Sequence, residues 1–544
     1  MTRTLGALLA TGALLLAACT SPPPAKPSAW NAPEIVVPPS SFTGVHGLAV
    51  DKGGRLLAGS VVGNAIWEVD RSTGAAKVLV DGPEGQADDI AIGPNGEMAW
   101  TNYLMGMLRY RENDAAPMRV LAKDLPGLNS LDFDRRNGKL YATQVFLGDA
   151  LWEIDVAGTK PPRLIAKDLG GLNGFEVGPD GMIYGPLWFK NSVVKVDPAS
   201  GAITVINNQF KTPAAANLDG RGNLWVVDTA TGELCKVELA SGRKTVVAKL
   251  KTALDNLAIA PEGTIYVSNM ADNSVEAIDP ATGAAKVLTR GALAVPSGVK
   301  VSGGTLWVAD IFSYRKVDLA SGAVTDVMRM HGTDVVLDYP FGVGLSADRV
   351  VLTSWFTGTV QLLDRATNNT LVMSHVWKAP YDAIPMADGS VLVAEIATGT
   401  VTRASGPELA TKTVVASGLA GPVQMTMDRQ GRLYVTEAAG NLVMIDLADG
   451  SKTVVAGGLA LPEGVAPTPW GTFIVAEAAA ARLTEIDPTT NTRRTVAENL
   501  PIGRIGSPGF PPPNIATGVA VSTDGTIYFS ANKNNAIYRV RPKR

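Results

Sequence analysis

An internal repeat with a period of about 42 residues constrains this chain most, because self-similarity at such a spacing decides architecture before any single motif does. The unit reads G-[LV]-A-V, a D-x-x-G turn, [LI]-[YW]-V-x-[DNE], a short loop, [VI]-x-x-[VI]-D, a T-G or S-G turn, and a final K-V-L-V or T-V-V-A. Clear copies start at Gly47-Leu48-Ala49-Val50, Leu257-Ala258-Ile259-Ala260 and Met425-Thr426-Met427-Asp428. Each holds four alternating apolar runs of strand length between Gly, Asp and Asn turns. Four antiparallel strands in a unit of this length mark a β-propeller blade. About twelve units fit the chain, and known propellers have roughly 4 to 8 blades, so the expected fold is all-β, as two tandem six-bladed rings. The 57 Gly and 35 Pro, with only 18% charged residues, suit such a turn-dense chain.

The ends suggest how the rings close. Glu34-Ile35-Val36-Val37 reads as a lone fourth strand, while the last unit ends at Ala536-Ile537-Tyr538-Arg539-Val540 without one. In the expected arrangement Glu34 to Val37 completes the blade ending at Val275 to Asp279, and Ala285 to Thr289 completes the final blade, since open sheet edges demand partners. The division is then 1–18 signal peptide, 19–33 lipidated Cys and Pro-rich tether, 34–282 first ring and 283–544 second ring.

The signal reading rests on Arg3, the apolar run Leu5 to Leu16, and Leu16-Ala17-Ala18-Cys19, a lipobox that would leave Cys19 as a lipidated N-terminus. A membrane partner through that anchor is therefore expected, in the cell envelope. Thr20 rather than Asp after the Cys fits the outer membrane facing the periplasm, or the outer face of the plasma membrane if there is only one membrane. Formal charge is −3 with Lys and Arg scattered, which excludes the basic footprint of a nucleic-acid binder. Cys235 is the one other cysteine, has no CxxC partner, and reads as a packing residue.

Residues just before G-[LV]-A-V should line the mouth of each channel. In the first half these are His46, Asp88-Asp89, Asn129, Asn173, Asn217 and Asp255-Asn256, a polar group from every blade. Converging carboxylate and amide oxygens suit Ca²⁺ or another hard divalent cation, and neutral His46 could accept a proton from water. Asn and Asp also cap sharp turns by bonding local backbone N–H groups, a purely structural use of the same residues.

Leu172-Asn173-Gly174-Phe175 with Pro179-Asp180-Gly181, Leu254-Asp255-Asn256-Leu257 with Pro261-Glu262-Gly263, and Ala87-Asp88-Asp89-Ile90 with Pro94-Asn95-Gly96 resemble inner-strand segments of the SMP-30/gluconolactonase and paraoxonase-like propellers. The resemblance implies a divalent cation on Asp88, Asn129, Asn173 and Asp255 that activates water against a lactone or ester; His46, from its place in the same ring, and Asp88 are the expected catalytic groups. Asn173 and Asp255 are separated by the blade of Ala216-Asn217, whereas the family places the corresponding residues on neighbouring blades.

The second half gives a mixed column, Ser297, Phe341, Tyr381-Asp382, Val423-Gln424, Glu463 and Thr517. Its second strands end in Asp310, Glu395, Glu437 and Glu477, which resembles NHL-type and virginiamycin-B-lyase-like blades; these acids are expected to accept loop N–H bonds. Phe341, Tyr381 and Trp355 read as an aromatic rim for a carbohydrate or peptide, and the insertion Pro501 to Pro513 as a lid or contact loop. Two functions remain open: a metal-dependent lactonase or esterase working in the first ring, or a non-catalytic envelope scaffold binding a protein or glycan. A monomer is expected in either case.

Overall fold

The computed structural model describes residues 24–332, 336–510 and 513–543; the lipobox and Cys19 lie outside the described residues. Among the described residues, twelve four-stranded antiparallel sheets follow one another along the chain. Six blades (48–80, 87–122, 128–167, 176–207, 213–249 and 254–289) form the first ring, which closes where Leu254–Ile259 packs beside Leu48–Val50. The other six (299–329, 342–374, 380–416, 422–456, 462–497 and 519–540) form the second, closed by Val299–Ser302 beside Val519–Val521.

The repeat motif builds the blade locally. After the third strand, Asp70 accepts the N–H groups of Ser72 and Thr73 (both 2.8 Å), and the Gly74 N–H returns to Asp70 O (2.8 Å). Gly74 sits at φ 74°, a conformation that disfavours a side chain. Second strands such as Leu56–Ser60 and Leu433–Glu437 are buried along their whole length, between neighbouring blades. Outer strands leave one face in water, so Val78, Val246 and Val454 are exposed. This division is what burying sheet against sheet around an axis requires.

A Ser or Thr near the end of a second strand repeatedly donates to the backbone carbonyl of the mouth residue in the next blade. Thr101 bonds Asn129 O (2.8 Å), Ser268 bonds His46 O (2.6 Å), Thr353 bonds Tyr381 O (2.9 Å), Thr436 bonds Glu463 O (2.6 Å) and Ser530 bonds Ser297 O (2.6 Å). The acids that follow accept loop N–H groups as expected: Asp310 from Ala294 and Val295, Glu395 from Lys378, Glu437 from Ala420 and Glu477 from Ala460. Cys235 is buried among Val193, Phe210 and Leu224, and burial pushes its thiol up to about 12.

Closure differs from the expected exchange. Glu34–Val37 pairs with Ala536–Val540 (Glu34↔Arg539, Ile35↔Tyr538), and Ala285–Thr289 stays in its own blade against Ser274–Ile278. The turn Asp279 to Ala284 closes with Asp279 N–H on Ala284 O (3.0 Å) and Gly283 N–H on Asp279 O (2.8 Å), which keeps that hairpin local. Among the described residues no strand follows Val540, and the open edge of the last blade is paired by Glu34–Val37, with Glu34 accepting from Arg539 and Arg541. The first ring is thus inserted between the first and second strands of the other ring, and the division at 282/283 places Glu34–Val37 and Ala285–Thr289 in the wrong rings. Part of the expected free tether is also docked on the second ring: Trp30 is 9% exposed against Trp470, and Arg494 donates to Pro27 O (2.7 Å).

Candidate functional site between the two rings

The mouths of the rings face each other. One apolar cluster joins Ala253, Met270 and Ala271 of the first ring to Phe312, Phe341, Trp355 and Tyr381 of the second. Beside it lies a cavity partly open to solvent, about 980 Å³ of non-atom space when the open solvent at its mouth is included. Its floor carries His46, Asp88, Asn129, Asn173 and Asp255, so the five predicted site residues share one opening.

On that floor, Asn129 donates its amide to Asp88 Oδ2. The Ser130 hydroxyl lies 2.8 Å from Asn129 Oδ1 and 3.2 Å from Asn173 Oδ1, which gathers both amide oxygens around one donor. Enclosure between the rings pushes the Asp88 carboxyl well above the usual range, with further contributions from Asp255 and then Asp89. Burial alone raises Asp255 to about 7. No cationic side chain acts on either carboxylate among the described residues.

Such a pair suits a cation. Two carboxylates and two amide oxygens are a hard, oxygen-only donor set of the kind Ca²⁺ takes, with the remaining positions left to water or substrate. Among the described residues no three His, Cys, Asp or Glu side chains converge as metal ligands, so a cation here would depend on Asn129 and Asn173 as well as on the two acids.

His46 is 8% exposed, and burial depresses its pKa to about 4. Nδ1 lies 2.6 Å from Gly44 O, a carbonyl that can only accept, so Nδ1 carries the proton and Nε2 the lone pair. His331 lines the same cavity from the second ring. It is likewise held down to about 4, by burial first and His46 second, with Trp188 at 5.2 Å between ring centroids. It was not predicted because it lies in a connection between blades, outside the repeating column.

Three residues of the predicted column, Asp89, Asn217 and Asn256, sit elsewhere. Strand pairing of Pro213↔Asp228 and Ala216↔Val226, matched to Leu254↔Asn269 and Leu257↔Val267, places Ala214, not Asn217, level with Asp255. The polar arc therefore has an apolar gap at the fifth blade, and not every blade supplies a polar group. Asn217 lies deeper, donating to Glu176 (3.2 Å). Asn256 is also deeper, donating to Asp89 Oδ1 (3.1 Å). This second layer holds Asp89, raised to about 8 by burial, and Glu176, raised to about 7 by burial and then Asp132; Arg135 lies 3.6 Å from Glu176.

In the second ring Phe341 and Trp355 reach the cavity with their ring centroids 5.0 Å apart. Tyr381 does not: it is 1% exposed and donates to Pro513 O. The expected rim is thus a roof over the other ring rather than an open platform. The described part of the 501–513 insertion overhangs the cavity through Arg504, Ile505 and Ser507 and binds the first ring, Arg504 donating to Gly63 O (3.0 Å) and Thr43 Oγ1 (2.8 Å). Known protein-family models and curated protein sequences contain no match to this chain.

Proposed function

We propose that the chain is a divalent-metal-dependent hydrolase of lactone or ester substrates, working in the cavity between the rings and held at a cell-envelope membrane through lipidated Cys19. The observation that carries this reading is the pair Asp88 and Asp255: half-buried, without a counter-charge, and gathered with Asn129 and Asn173 around one opening. The resemblance of their strand segments to SMP-30/gluconolactonase propellers supports it.

A divalent cation on Asp88, Asn129, Asn173 and Asp255 would polarise a carbonyl and acidify water. The chain's own part is proton handling and exclusion of solvent. Neutral His46 offers Nε2 to take a proton from the attacking water as its oxygen bonds the carbonyl carbon, and then returns that proton to the departing alkoxide as the acyl C–O bond breaks. Tyr103 and Tyr339 stay protonated, burial and then Asp88 holding both phenols up, so each supplies a hydroxyl rather than a charge beside the acids.

Calorimetric titration with Ca²⁺ tests the reading. One ion per chain is expected, and Asp88→Asn or Asn173→Ala should weaken binding at least 100-fold and remove hydrolysis of a simple γ-lactone. Absence of binding at millimolar Ca²⁺ would leave a non-catalytic scaffold as the better account.

A further inference from the structure

The cavity has two chemically different halves. Opposite the polar floor, the second ring presents an aromatic chain in edge-to-face contact: Phe312 to Tyr339 (6.0 Å), Tyr339 to Phe356 (5.5 Å) and Phe356 to Trp355 (5.9 Å) between centroids. This roof reaches the floor. Phe312 lies edge-on to His46 at 5.5 Å, and the Tyr339 phenol is close enough to feel both Asp88 and Asp255. The Trp355 N–H is already given to Asn514 O (2.8 Å), so the indole offers a bound molecule only its apolar surface.

Hydroxyls of a polyhydroxylated lactone that lie against the Phe312, Phe356 and Trp355 rings would lose hydration and gain no partner from those rings, a cost that alkyl or aryl groups do not carry.

We propose that the second propeller is the specificity element of this site: it selects lactones or esters whose alkyl or aryl body lies against Phe312, Tyr339 and Phe356 while the carbonyl faces the Asp88 and Asp255 floor. The hydrolytic part rests on the function proposed above; the selection for an apolar body rests on the roof alone.

The test needs no variant at first. With Ca²⁺ present, kcat/KM of the full chain is measured on γ-lactones and p-nitrophenyl esters of increasing alkyl length, and on a polyhydroxylated lactone of the same ring size. In parallel, binding of non-hydrolysable alkyl lactams is read from Trp fluorescence, since Trp188 and Trp355 line the cavity. The expected gain is about 3- to 4-fold per methylene until the cavity is filled, with the polyhydroxylated lactone at least 100-fold poorer than its alkyl counterpart. Phe356→Ala should flatten the slope to under 2-fold per methylene in both assays.

Chain-length-dependent lactam binding that Phe356→Ala flattens, without turnover of any ester, would sustain the roof and overturn the hydrolase reading. Turnover with no dependence on chain length, or with preference for the polyhydroxylated lactone, would overturn the roof and leave the hydrolase. Failure of both series to bind or react would overturn both.

Discussion

Buried acids serve two different ends here, and the neighbours of each decide which. Glu463, on the second ring's mouth column, is 1% exposed and accepts the Thr517 N–H (2.6 Å), yet burial still raises it to about 7. Below about pH 4.5 it is protonated folded or unfolded and carries no penalty. Between pH 4.5 and 7 the unfolded chain releases the proton first, so the stability associated with Glu463 falls as pH rises. Glu463→Gln keeps the acceptor oxygen and cannot ionise. Relative to the parent it should gain about 3 kcal/mol between pH 4 and pH 8, measured by chemical denaturation at both values; a pH-independent difference would mean that Glu463 ionises freely. Position in the repeat made Asp88, Asn129, Asn173 and Asp255 legible, because residues before each inner strand must meet at the axis. The same rule failed for Asn217: the run Pro213-Ala214-Ala215-Ala216-Asn217 has no landmark to fix its register, and only pairing with Asp228 and Val226 shows that Ala214 is level with Asp255. His331 follows no period, and only the folded chain brings it to the site.

Strands were more legible than their partners. Four apolar runs per repeat give the twelve sheets, because burial on both faces of a second strand and one face of a fourth leaves a pattern in hydrophobicity. Which blade receives Glu34–Val37 is a question of pairing across some five hundred residues, and alternation alone holds no answer to it. Val37 is fully buried with Ile537 and Val299, and Asn31 N–H bonds Arg541 O (2.9 Å), so this segment is an integral layer of the second ring. Replacing residues 24–37 by a Gly/Ser linker should strip amide-exchange protection from Ile527–Ala531 and Ala536–Val540 and promote association through the bared edge. Strands Leu56–Ser60 and Ile265–Asn269 of the first ring should keep theirs, and a peptide spanning 24–38 added in trans should restore the last blade. Loss of protection in blades one to six instead would place the segment's main support in the first ring.

At the scale of the molecule, the unusual feature is that one ring is inserted within the other and the two are packed mouth to mouth. Phe312 lies at the centre of that contact: it is 1% exposed, its edge meets His46 and Tyr339, and its ring abuts Gly44, where an added Cβ would come within 2.6 Å of it. A large buried apolar interface makes separate units unfold together, whereas a small polar one lets them open independently. Truncating a buried Phe to Ala costs about 3–5 kcal/mol. If the rings form one cooperative unit, Phe312→Ala lowers the global stability of both, and the slowest amides should exchange about two to nearly four orders of magnitude faster in each ring, in Leu56–Ser60 as in Leu433–Glu437. The shared cluster and the anchoring of Arg504 on Gly63 and Thr43 predict that outcome. Hydrogen exchange followed by mass spectrometry checks it: faster exchange confined to the second ring would mean that the face-to-face contact leaves the two rings energetically separate, and a site built across it would then open without either ring unfolding.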